Sequence, residues 1–135
     1  MSHWFGPFVL MVAAVFFLFT ALSSGFAPRQ FAVRLGLAIT SGDGYNEIRA
    51  QYAGFFFVAA LVCVAALAGA VSRRSGFVVL AVIFGGLFAG RAASLAINRG
   101  FGGYSSTILA LYVIDATGLL LALTALVLDK AGAQN

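Results

Sequence analysis

Four long apolar runs divide the chain: Phe5 to Leu22, Tyr52 to Val71, Phe77 to Ile97 and Ile108 to Leu128. Each holds 18 to 21 residues, which at about 1.5 Å per residue covers roughly 27 to 32 Å, the thickness of a bilayer's hydrocarbon. The pattern predicts an all-α fold, an integral membrane bundle of four transmembrane helices within a single domain over 1–135. The expected spans are about 5–22, 45–71, 77–97 and 106–128.

The polar stretches between the runs are unequal. "SRRS" and "NRGFGGYSS" are short and polar or glycine-rich, so helices two, three and four follow one another as antiparallel hairpins. The link from Ser23 to Gln51 is too long for a turn. Within it, "APRQFAVRLGLAI" puts Pro28 at a first helical position, Phe31, Leu35 and Ala38 on one face, and Gln30 and Arg34 on another. A short interfacial helix is expected in the segment 27–40. The alternation in "FAVRLGLAI" also fits a strand, but an open edge near lipid leaves backbone groups unpaired. Asp43 is the expected N-cap of helix two, which then starts near Gly44 and carries Asn46, Glu47 and Arg49 on its first turns.

Composition sharpens this reading. Hydrophobic residues make up 62% of the chain and charged residues 9%, against roughly a quarter charged in soluble domains, which excludes a soluble core. The net charge of +4 comes from scattered arginines rather than a basic stripe, so no nucleic-acid partner is expected. Arginines near helix ends suit lipid headgroups instead. The positive-inside count is nearly even, and Arg73 with Arg74 in the tightest loop tips the expected orientation to both termini in the cytoplasm. The N-terminal run lacks a basic leader and reads as a retained helix. His3 and Trp4 read as an interface anchor pair, and the phenylalanines at 16, 17, 19 and 55–57 as lipid-facing or core residues. The lone cysteine, Cys63, sits mid-span as a small buried hydrophobe; no metal site and no cofactor are expected.

Two ionisable residues interrupt the later spans, Arg91 and Asp115. Arg91 lies six residues before the end of its run and Asp115 seven after the start of the next, so the hairpin brings both to about 9 to 10 Å from one membrane face, where they can pair. Helix two starts at the same face, which puts Asn46, Glu47 and Arg49 just above that layer. Two acids and two bases from three helices are expected to form one polar cluster, with Tyr52, Tyr112, Asn98 and Gln51 satisfying the remaining donors and acceptors. Gly86, Gly90 and Ser94 recur every four residues as a small-residue packing face, continued by Gly118 and Ala122 on the last helix.

These residues resemble a known pattern. "NEIRAQYAG" at the head of one span, "GR" late in the next and an acid early in the last resemble the domain of unknown function 4345 family of small bacterial four-helix membrane proteins. The matching positions are Asn46, Arg49, Tyr52, Gly54, Gly90 and Arg91. The chain departs at Ala53, where a second glycine is common, and at Asp115, where glutamate is usual. The resemblance implies a multi-pass protein of a bacterial inner membrane and brings no activity with it.

The leading expectation is a non-catalytic bundle whose buried polar cluster fixes the helices and binds a lipid, quinone or other amphiphile. One alternative is an accessory subunit, or a homo-oligomer, packing its apolar surface in a larger membrane complex. The other is an enzyme acting on a lipid-like substrate, with Glu47 or Asp115 as acid or base.

Overall fold

The computed structural model describes residues 2–132, with side chains over 4–129. His3 and Lys130 therefore lie outside the described side chains. Helix α1 spans Ser2–Phe26 and α2 spans Pro28–Arg34. Then α3 (Gly42–Ile48), a π-helical segment (Arg49–Gly54) and α4 (Phe55–Leu67) run on as one continuous helix. Helices α5 (Arg73–Ile97) and α6 (Ser106–Gly132) complete the chain. Among the described residues there is no strand, and four helical stretches are long and apolar enough to cross a membrane: Trp4–Phe26, Gly42–Leu67, Arg73–Ile97 and Ser106–Asp129. The fold class is all-α, with the four spans of a multi-pass membrane protein.

Hydroxyl groups explain several boundaries. The first helix continues past Leu22 because Thr20 and Ser24 donate back to the carbonyls of Phe16 and Thr20, at 2.9 and 2.7 Å. Their polar groups are thereby satisfied inside the helix, and Ser24 is fully buried. At the second span Ser41, not Asp43, is the N-cap. Its backbone is extended and its hydroxyl accepts from the Gly44 amide at 3.4 Å. Asp43 instead occupies the first turn, where its charge complements the helix dipole. Helix α5 begins at Arg73 rather than Phe77 for the same kind of reason, since Ser72 accepts from the Ser75 amide at 3.0 Å. Arg73 and Arg74 thus belong to a helix start, not a loop.

The apolar run to Val71 outlasts its helix. Gly69 adopts φ +78°, a left-handed geometry that glycine takes without steric cost, and the Ala70 amide bonds back to the Ala65 carbonyl at 2.9 Å. The segment expected over 27–40 is helical only in its first half, Pro28–Arg34, with Pro28 at the helix start.

The chain divides into two compact units, one of Leu10–Val71 and the other of Ser72 onward with the first residues of α1. In the first unit, Phe17 of α1 and Phe56 of α4 are buried with ring centroids 5.4 Å apart. Gly25 faces Ala53 of the π-helical segment, where a β-carbon on the glycine would sit 3.5 Å from the alanine methyl. The wider i→i+5 turn also carries Tyr52, whose ring lies edge-on to Phe31 at 5.0 Å and stacks on Phe56 at 6.3 Å.

In the second unit α5 and α6 pack along their length. They pack tightly at Gly118, where a β-carbon would fall 2.7 Å from the ring of Phe84. Gly85 faces Leu119 more loosely, at 3.5 Å. The expected packing row behaves differently. Nothing lies within 4 Å of a β-carbon built at Gly86 or Gly90, because both are exposed on the side of α5 turned away from this contact.

Candidate functional site

The polar centre of the second unit is an ion pair inside the span. Arg91 of α5 donates through Nε to Oδ2 of Asp115 of α6 at 2.5 Å. Asp115 is only 2% exposed and Arg91 23%. Each group neutralises the other where a lone charge would cost several kcal/mol. The structure brings these two together because a short hairpin returns α6 alongside α5 at matching depth.

Tyr112 sits one turn before Asp115 and donates its hydroxyl proton to the Arg91 backbone carbonyl at 2.7 Å. Its ring belongs to an aromatic group with Phe101 at 5.6 Å and Tyr104 at 6.1 Å. Around the Tyr104 hydroxyl, Asn98 donates at 3.0 Å and Ser94 lies at 3.1 Å. Hydrogen bonds from Ser94 and Asn98 hold the Tyr104 phenol below the usual tyrosine range. Ser94, expected in a packing row, thus serves this polar end of the hairpin. Tyr104 and Phe101 were missed in the sequence because their loop reads as a glycine-rich turn. The signal available was an aromatic pair at i and i+3 flanking "GG" beside a membrane face.

A groove of about 410 Å³ runs along α5 and α6, with Phe88, Ala92, Leu95, Tyr112, Ala116 and Leu120 among its walls. Its lining is apolar, and Tyr112 belongs to both the groove and the hydrogen-bonded network. No described side chain in either unit leaves a buried nitrogen or oxygen without a partner.

Other expected site residues lie in the first unit. Glu47 accepts from the Gln51 amide at 2.6 Å, one turn along the same helix. The Arg49 guanidinium carbon lies 5.9 Å from the Tyr45 ring centre, a cation–π distance. Asn46, Glu47 and Arg49 are all exposed. One-turn neighbours on a helix lie about 5 to 6 Å apart, within reach of pairs such as Glu47 with Gln51. Among the described residues, no group of acids, histidines and cysteines is arranged to hold a metal ion.

Comparison with known proteins gives a family and nothing finer. The sequence model of DUF4345, a domain of unknown function, matches residues 7–126, and the chain belongs to that family. No curated protein and no solved structure matches it.

Proposed function

We propose that this DUF4345 protein is a non-catalytic membrane protein that binds a carbonyl-bearing amphiphile, a quinone or a lipid ester, in the groove between α5 and α6. The observation that carries the reading is the double position of Tyr112, whose hydroxyl donates to the Arg91 backbone carbonyl while its side chain forms part of the groove wall. A polar anchor therefore adjoins an apolar slot whose volume falls in the range of ligand pockets, about 300 to 1,000 Å³.

The anchor's charge favours a neutral head. Arg91 is already neutralised by Asp115, and it has spent one of its five N–H donors there. A neutral carbonyl head beside this neutral pair adds no net charge to a low dielectric, whereas an anion would. Binding rather than catalysis is favoured by the same pairing. Asp115 is buried against its cation, and Glu47 is exposed and bonded to Gln51. Neither is poised beside a cavity as a free acid or base.

Thermal unfolding in neutral detergent tests this reading. Added ubiquinone or phosphatidylethanolamine is expected to raise the unfolding temperature of the wild type and not that of Ala116→Trp, whose indole fills the groove. An unchanged wild-type midpoint with both ligands contradicts it.

A second reading rests on Gly86 and Gly90. They are exposed, with open space where a β-carbon would stand, as a face for a helix of another chain requires. It supports assembly as an oligomer or accessory subunit, and a band larger than the monomer on a native gel, lost in Gly90→Leu, is its expected outcome.

A further inference from the structure

The first unit carries a cleft unlike the groove between α5 and α6. Helix α1 ends at Phe26, Ala27 makes the corner with φ −128° and ψ 55°, and α2 starts at Pro28. Ser23 of α1 and Ala27, Gln30, Phe31 and Arg34 line a cavity of about 340 Å³ at this corner. Positions 27, 30, 31 and 34 follow the i, i+3, i+4, i+7 pattern, so one face of α2 supplies almost the whole lining. The Phe31 ring is fixed from behind by Tyr52.

The Arg34 charge on this face has no ion-pair partner among the described residues. Helix α2 contains two arginines and no acid. Arg29 is turned to the Tyr45 hydroxyl, to which its Nε donates at 3.1 Å. The Arg34 guanidinium and the Gln30 amide, both exposed, and the Ser23 hydroxyl have no hydrogen-bond partner among the described residues. Three polar side chains therefore line one cleft, and its positive charge is unpaired among the described residues. The neighbouring surface is apolar, with Phe26 87% and Val33 66% exposed.

We infer that the α1–α2 corner binds the phosphate of an anionic phospholipid, with Arg34 as the ion-pairing group, Gln30 and Ser23 as hydrogen-bond donors, and Phe26 and Val33 against the acyl chains. Guanidinium and phosphate match in charge and in the fork geometry of their bonds. The apolar flanks select a lipid over a free anion. This site is independent of the groove beside Arg91, where the cation is already paired.

The test is lipid retention by the full chain in neutral detergent, read by native mass spectrometry. Wild type is expected to retain phosphatidylglycerol in preference to phosphatidylcholine. Arg34→Gln should weaken that retention about fivefold, the effect of one basic residue at an anionic lipid surface. Arg34→Lys should restore part of it, and Arg99→Gln, outside the cleft, should leave it unchanged. Inorganic phosphate should neither bind nor displace the lipid. Equal retention by Arg34→Gln, equal retention of phosphatidylcholine, or displacement by inorganic phosphate would each overturn the inference. Ala116→Trp should retain phosphatidylglycerol as the wild type does, so failure of the α5–α6 groove would not mimic failure here.

Discussion

Asp115 is buried to 2% exposure and its carboxylate is reached by Nε of Arg91, a side chain 23% exposed, across the α5–α6 contact. The two members of the pair are therefore unequal. Removing the arginine strands a buried carboxylate on a short side chain, whereas removing the acid frees a cation whose long side chain can reach toward the membrane face.

That asymmetry predicts a stability order. Arg91→Ala should destabilise the protein by about 3 to 5 kcal/mol, the cost of breaking a buried pair from one side. Asp115→Asn should cost less, and Arg91→Leu with Asp115→Leu together should recover most of the loss, since an apolar pair of similar size removes both desolvation terms. Thermal unfolding of the four proteins in one detergent measures the order. A double variant no more stable than Arg91→Ala would contradict it.

The packing of α5 on α6 depends on Gly118. A methyl there would overlap the Phe84 ring, at 2.7 Å, so Gly118→Ala is expected to cost about 1 to 3 kcal/mol. Phe84→Leu introduced beside it should recover part of that, because the two positions share one contact. Gly86→Ala meets nothing within 4 Å and should leave the unfolding temperature unchanged or slightly raised. Equal losses at 86 and 118 would contradict the described contact.

Ser72 starts α5 by accepting from the Ser75 amide. Ser72→Ala should cost about 1 kcal/mol and speed hydrogen exchange at Ser75, while exchange in the middle of α5 stays slow. Unaltered exchange at Ser75 would show that the cap is dispensable.

What could be read from the sequence follows physical range. The spans were legible because each is a long apolar run, and the meeting of Arg91 with Asp115 because a short hairpin fixes relative depth. The starts of helices two and three were less so. Counting from the apolar runs passed over Ser41 and Ser72, whose hydroxyls cap helices before hydrophobicity begins. The π-helical segment at Arg49–Gly54 had no visible signal, since it changes the hydrogen-bond step and not the composition. Tyr104 and Phe101 were hidden by their glycine-rich setting. Glu47 is held by Gln51 one turn away on the same helix, a neighbour that hydropathy does not register.

The central claim is that the groove beside the Arg91–Asp115 pair holds an amphiphile. Native mass spectrometry of wild type and Ala116→Trp, each purified from membranes in mild detergent, tests it most directly. The account predicts a quinone or neutral lipid bound to the wild type and missing from Ala116→Trp, with both proteins folded and both keeping any anionic phospholipid held at the α1–α2 corner. A wild type without a quinone or neutral lipid, or one retained equally by both proteins, would contradict it.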